Sequence, residues 1–303
     1  MLIMDRRGFI KGAAGALATL GTGVAYYPGL ANAGLAPKSK RELLLQTAPG
    51  FKNPELASDS EAQVGMALAL VFDSSDTIKP DEMRAQFRAA ARALQDKDFK
   101  DRIFDPGGGP GSLALCVVDF SDRVNLRIPW FDIRNREEAD EKLSVVYNKL
   151  VGMPRSQSDA TFIANMLQDM NVVMHECPWK SEKRTMDVFG DGKDTYDHKY
   201  SVADQRDHFI SDTATQINAL AILNEVPDLD DYFKDELVQH EAVVADNGHI
   251  VNPGFCIAAA GRPDGADGDN ALKLYEYDIH NAFKRKLLTE LAGRSIPHQP
   301  SFA

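Results

Sequence analysis

Cysteine is scarce in this chain: Cys116, Cys177 and Cys256 are the only three in 303 residues. In an oxidising compartment an odd count leaves at least one thiol unpaired. Cys116 lies inside an apolar run and reads as a buried core residue, and Cys256 looks similar. A bridge involving Cys177 stays open, and the spacing matches no metal motif. Positive charge is also short, with 34 Lys and Arg against 45 Asp and Glu and a formal net charge of −11. That balance argues against a nucleic-acid partner, which needs basic patches for phosphate. It is compatible with cation binding, although acidity by itself mostly reports solubility. Beyond the N-terminus no segment is apolar enough to span a membrane. The seven histidines show no His-Glu-x-x-His arrangement, and Gly107–Gly111 lacks the Gly-Lys-Ser/Thr ending of a phosphate-cradling loop. No Ser-His-Asp or Cys-His set can be argued from residue order, and there is no internal repeat.

The first 33 residues carry a leader pattern. Asp5-Arg6-Arg7-Gly8-Phe9-Ile10-Lys11 precedes a mild apolar stretch from Gly12 to Tyr26, and Ala31-Asn32-Ala33 offers a small-residue cleavage site. The pattern resembles a twin-arginine export signal. It implies cleavage after Ala33 and a periplasmic destination for an already folded protein. The alternative is an uncleaved anchor, for which the stretch is shorter than a comfortable bilayer span. Removing the three basic residues and one acidic residue of this segment takes the charge from −11 to −13. About 270 residues remain, enough for one large domain. Residues 34–62, with Pro37, Pro49, Gly50 and Pro54, read as a linker or N-terminal arm.

Strand-like and helix-like segments then alternate. Strands are expected at Met66–Ser74, Leu113–Phe120, Val124–Pro129, Arg184–Phe189, Ile217–Leu223 and Gly254–Ala260. Helices are expected at Pro80–Leu94, Glu137–Leu150, Ala160–His175, Val202–Ser211, Leu229–Val238 and Leu272–Ala292. The tight Ser121-Asp122-Arg123 turn joins the second and third strands as a hairpin. Strands separated by helices imply right-handed crossovers. The expected fold is therefore α/β: a Rossmann-like, doubly wound, mostly parallel sheet with one antiparallel edge strand.

The first strand runs M-A-L-A-L-V-F and ends abruptly in Asp73-Ser74-Ser75-Asp76-Thr77. Ligands of open α/β sheets gather at the carboxyl ends of the strands. Asp73, Ser75 and Thr77 would cluster there and offer hard oxygen donors suited to Mg²⁺, Mn²⁺ or Ca²⁺. Two further pieces belong to the same rim: Thr161, at the start of a helix after the 156–159 loop, and Asp191, in Gly190-Asp191-Gly192 after the fourth strand. Together they supply two carboxylates and three hydroxyls from three loops. The competing reading of Asp73-x-Ser75-x-Thr77 is a helix cap, because Asp and Ser commonly accept a helix's first amides. Gly190-Asp191-Gly192 alone is a common turn.

In this order, the pattern resembles the metal-ion-dependent adhesion site (MIDAS) of von Willebrand factor A (vWA) domains, whose motif is D-x-S-x-S, then a threonine, then an aspartate. The resemblance covers roughly residues 63–292, leaving 293–303 as a tail. More narrowly, the chain is similar to an exported bacterial branch of that fold, the domain-of-unknown-function family 1194. The resemblance implies a bound divalent cation, Mg²⁺ with Mn²⁺ or Ca²⁺ as alternatives. Asp73, Ser75 and Thr77 would form the first metal-binding loop, Thr161 would be the switch threonine, and Asp191 would bind directly or through water. It also implies a non-catalytic role, with an acidic side chain of a protein partner filling the open coordination position. Thr77 stands where the family usually has serine and keeps the hydroxyl. The loop before Thr161 departs from the small residues common there, so Ser156 or Ser158 is an alternative to Thr161. Asp76, between two proposed ligands, reads as solvated.

Two other functional readings are weaker. A phosphate-ester hydrolase with an aspartate nucleophile would need an acid at position 75, where serine stands. A degenerate scaffold without metal is the third. Asp264, Asp267 and Asp269 depart from the twelve-residue calcium loop and read as a solvated turn. His198 and His208 read as surface residues.

Overall fold

The computed structural model describes residues 63–156, 160–195, 200–224, 226–262 and 268–292. The expected leader, arm and tail (1–62 and 293–303), Ser158, His198, Asp264 and Asp267 lie outside the described residues.

The apolar run becomes β1 (Gln63–Asp73), and its side chains serve two cores. Leu68, Leu70 and Phe72 point into one, Ala67, Ala69 and Val71 into the other. A strand buried on both faces needs helices above and below it, and the chain supplies them. On one side lie α1 (Pro80–Gln95), the short α2 (Lys97–Ile103), α3 (Arg136–Val151) and α7 (Asp269–Leu291). On the other lie α4 (Ile163–His175), α5 (Val202–Thr213) and α6 (Leu229–Tyr232), the last running into a π-helical turn at Phe233–Leu237. The remaining strands of the main sheet are β2 (Leu113–Phe120), β3 (Val124–Ile133), β4 (Lys180–Gly190), β5 (Gln216–Leu223) and β8 (Cys256–Ala260). A separate small hairpin pairs β6 (Val243–Val244) with β7 (Ile250–Val251).

The six-stranded sheet has the order β3-β2-β1-β4-β5-β8. Every neighbouring pair is parallel except β2 with β3, so the expected antiparallel edge hairpin is present. β3 runs past Pro129 to Ile133, four residues beyond the expected end. The register shows why: Leu115 pairs with Phe131 and Val117 with Ile128, so Pro129 and Trp130 together oppose the single residue Cys116. That is a bulge on an edge strand, where a proline's missing N–H is tolerated.

Other boundaries shift for local reasons. Thr161 and Phe162 are not helical, and α4 begins at Ile163. α2 was not expected, since its seven residues bury only Phe99 and Ile103 and give no periodic signal. The expected helix Leu229–Val238 changes to π geometry midway, where the Val238 amide donates to the Phe233 carbonyl five residues back. All three cysteines are free thiols, which closes the question of a bridge at Cys177. Among the described residues no helix is long and apolar enough to cross a membrane.

A charged group lies in the sheet–α7 interior. Lys286 Nζ sits 2.5 Å from Asp187 Oδ1 and 2.6 Å from Glu290 Oε1, and Asn218 donates to the same Glu290 oxygen at 2.9 Å. Burial, with Glu290 beside it, raises the Asp187 carboxyl well above its ordinary range.

Candidate metal centre

β1 delivers Asp73 to the carboxyl-end rim, fully buried, and the chain turns at once. Asp73 Oδ1 accepts the Ser75 amide at 2.8 Å, an aspartate turn that draws the Ser75 side chain back beside it. Ser74 leaves the cluster: its amide and hydroxyl both donate to the Phe120 carbonyl at the end of β2, at 2.7 and 2.9 Å. The helix-cap reading fails here. α1 starts at Pro80 with Lys79 in the cap position, and the Lys79 amide donates to Glu82 Oε2 at 3.1 Å, so Asp73 serves a turn amide instead of α1.

The three loops converge. Thr161 Oγ1 donates to Asp73 Oδ2 at 3.3 Å, and Thr77 Oγ1 donates to Asp191 Oδ1 at 3.0 Å. Ser75 Oγ and Thr77 Oγ1 lie 2.9 Å apart. A hydroxyl has one hydrogen, and that of Thr77 goes to Asp191, so Ser75 is the donor in this contact. Asp73, Ser75, Thr161 and Asp191 are all buried, while Thr77 and its neighbour Asp76 are exposed. All five sequence-expected residues therefore meet at one place, with Thr77 on its solvent side.

Two glycines make the convergence possible. A Cβ at Gly192 would lie 3.1 Å from Thr161 Oγ1, and one at Gly190 would lie 3.4 Å from Asp73 Oδ2. Neither glycine has a positive φ, so their small size is needed for close approach, not for a turn.

Sequence reasoning missed the residues that hold Thr161. The Thr161 carbonyl accepts the Thr195 amide and hydroxyl, both at 3.0 Å, and the next amide, of Phe162, donates to the Ser121 carbonyl at 3.1 Å. Asp194 Oδ1 accepts the Ile163 and Ala164 amides, so the loop after β4 caps α4 from a distance in sequence. The Tyr232 hydroxyl oxygen accepts the Asp194 amide at 3.3 Å and ties the same loop to α6. Of the two alternatives to Thr161, Ser156 lies among the described residues. Ser156 donates to Asp119 Oδ1 and receives the Asn125 side-chain amide at 3.2 Å, which commits its hydroxyl to the β2–β3 end, while the Thr161 hydroxyl is the one that reaches Asp73.

Burial pushes the Asp73 carboxyl up to about 6, against the lowering effects of the Ser75 and Thr161 hydrogen bonds and the Arg155 charge. A desolvated carboxylate of this kind gains from a nearby cation. Two carboxylates and three hydroxyls also form an oxygen-only donor set suited to a hard divalent ion. Among the described residues no group of three or more His, Cys, Asp or Glu side chains is placed to hold a metal, so a site here depends on the hydroxyls. The other sequence candidates fall elsewhere. The Gly107–Gly111 loop precedes β2 at the opposite rim, and His208 is exposed on α5.

Sheet order, edge hairpin and flanking helices define a domain of the von Willebrand factor A type. Within that class the chain belongs to the family described as "Protein of unknown function (DUF1194)", whose model matches residues 63–248 and so includes the five rim residues. No curated protein matches the chain. Solved structures similar to it include a von Willebrand factor type A protein from Catenulispora acidiphila, at 13% identity and a TM-score of 0.42, covering 74% of this chain and 43% of that one. Proximal thread matrix protein 1 from the mussel byssus, in a structure with a zinc-occupied MIDAS motif, shows 15% identity and a TM-score of 0.41 over 74% of this chain and 47% of its own. The vWF domain of the type V pili tip protein Mfa5 from Porphyromonas gingivalis shows 8% identity and a TM-score of 0.44 over 79% of this chain and 99% of its own. The chain thus spans less than half the length of the first two.

Proposed function

We propose that the rim cluster binds a divalent cation through Asp73, Ser75, Thr77, Thr161 and Asp191, and that the bound ion captures an acidic side chain of a protein partner. The observation that carries this reading is the continuous hydrogen-bonded set reaching from Thr161 through Asp73 and Ser75 to Thr77 and Asp191. It unites three loops around two buried carboxylates. The hydroxyl hydrogens of Thr161 and Thr77 point to carboxylates, and Thr77, which also accepts from Ser75, keeps one lone pair for a cation. The ion would supply a Lewis-acidic centre for an incoming carboxylate. Mg²⁺ suits the donor set, with Mn²⁺ or Ca²⁺ as alternatives. The role is binding without turnover. The paired arginines at Arg6-Arg7 and the small residues at Ala31-Asn32-Ala33 support export by the twin-arginine route, cleavage after Ala33 and a periplasmic site of action.

Calorimetric titration of the purified protein with Mg²⁺, Mn²⁺ and Ca²⁺, beside Asp73→Ala, tests the proposal. Binding to the parent that is lost in the variant is expected, with far-UV circular dichroism showing that the variant is folded. Absence of heat with all three ions, or equal binding by a folded variant, would overturn it.

A further inference from the structure

One short element grips the segment that follows β4. That segment carries Asp191, and three positions on and beside α6 reach it. Lys193 Nζ lies 2.8 Å from Asp228 Oδ2, the Tyr232 hydroxyl accepts the Asp194 amide at 3.3 Å, and a Cβ at Gly190 would lie 3.3 Å from Phe233 Cζ. The three contacts differ in weight. Lys193 and Asp228 are 39% and 65% exposed, and an ion pair so open to water contributes little. Phe233 is buried and Tyr232 half-buried, so the grip rests on these two adjacent residues.

Each of the two leads to a different side of the rim. Gly190 lies between Phe233 and Asp73, since the same Cβ position is 3.4 Å from Asp73 Oδ2. The Phe233 ring therefore backs the strand end that presents Asp191 beside Asp73. Asp194, held by Tyr232, accepts the Ile163 and Ala164 amides, and its neighbour Thr195 donates twice to the Thr161 carbonyl. Tyr232 reaches Thr161 by that route. The grip is itself fixed from α5. Phe233 opens the π-helical turn, whose Asp235 and Glu236 carbonyls accept Arg206 Nη1 at 3.0 and 3.1 Å. Carbonyls at a helix end lack partners of their own, and Arg206 supplies one. Turns of π geometry often accompany functional sites.

We infer that Tyr232 and Phe233 are positioning residues of the rim: through the segment after β4 they hold Asp191 and Thr161 in place around Asp73. The inference rests on the reading of the rim as a cation site. Neither side chain touches the ion. Each sets how closely the donor loops converge, so loosening α6 lowers cation affinity without removing a ligand.

The parent, Y232F, F233L and F99L, titrated with Mg²⁺ and Mn²⁺ by calorimetry and unfolded in urea, decide the matter. Phe99 is a buried residue of α2, in the other core, and F99L makes the same truncation away from the rim. Y232F, which removes one hydrogen-bond acceptor, is expected to weaken cation binding about threefold. F233L is expected to weaken it about tenfold. F99L is expected to lose stability as F233L does and to bind cation as the parent does. The electron paramagnetic resonance spectrum of bound Mn²⁺ is expected to change in Y232F and to match the parent in F99L. Parent-like affinity and spectra in folded Y232F and F233L overturn the inference and leave the cation reading intact. Equal weakening in F99L also overturns it, because the loss then follows stability alone. No binding by the parent overturns the cation reading, and the inference with it. Should F233L not fold, Y232F decides by the same outcomes.

Discussion

Thr161 Oγ1 donates a hydrogen bond to Asp73 Oδ2 across 88 residues of sequence. That contact joins the loop before α4 to the end of β1 and turns two unrelated polar positions into one site. The Asp73 end of the bond is buried and desolvated, and its titration is the most direct handle on the rim.

In the presence of a chelator, the folded protein holds a proton on Asp73 up to about pH 6, while the unfolded chain releases it in the ordinary carboxylate range. Between those limits the folded state binds more protons, so this group's contribution to stability is full at low pH. It falls as pH rises towards 6, by about 3 kcal/mol at most. Asp73→Asn keeps an acceptor for the Ser75 amide and removes the charge. Urea unfolding from pH 4 to 7.5 is expected to show the parent losing stability relative to this variant as pH rises. A parent that gains on the variant over that range would refute the assignment.

Asp194→Ala removes the acceptor for the Ile163 and Ala164 amides at the start of α4. Loss of such a cap costs about 1–2 kcal/mol of stability. Thr161 lies two residues upstream, so cation affinity is expected to drop along with the urea midpoint. Unchanged affinity in a destabilised variant would show that Thr161 does not depend on this cap.

Gly192→Ala places a Cβ 3.1 Å from Thr161 Oγ1 and 3.9 Å from Thr77 Oγ1. The hydroxyl has to move by a few tenths of an ångström. Calorimetry is expected to show cation binding weakened by up to about tenfold, about 1.4 kcal/mol. The unfolding midpoint is expected to change little. A large loss of stability with intact affinity would contradict the geometry.

Lys286→Met leaves Asp187 and Glu290 buried together without their cation. Breaking a buried ion group in this way costs about 3–5 kcal/mol. The Asp187 carboxyl is already raised by burial and by the neighbouring Glu290, so acid relieves the repulsion by protonating Asp187. The stability deficit of the variant, read by urea unfolding, is expected to narrow from pH 8 to pH 5. A deficit that stays constant would show that the two carboxylates are not the cause.

Much of the fold was legible because its signals are local. The unbroken β1 run, the amphipathic α1 opening at Pro80 and the Ser121-Asp122-Arg123 turn each encode their own element. Element ends were less legible where a contact from elsewhere decides them. Pro129 suggested a strand end, but a bulge opposite Cys116 carries β3 past it. Thr161 looked helical, but Asp194 sets the first amides of α4 two residues later.

The sequence by itself determined the alternation of strands and helices, the edge hairpin and the burst of polar residues at the end of β1. Those depend on hydrophobic period and turn chemistry, which are properties of neighbours in the chain. Only the tertiary structure decided that Ser156 is held by Asp119 while Thr161 reaches Asp73, and that Gly190 and Gly192 are small to let side chains approach. The same holds for the Lys286–Asp187–Glu290 group, which joins α7 to the middle of β4. Such pairings follow from how crossovers bring loops together, and a charge or hydroxyl far away in sequence leaves no local mark of its partner.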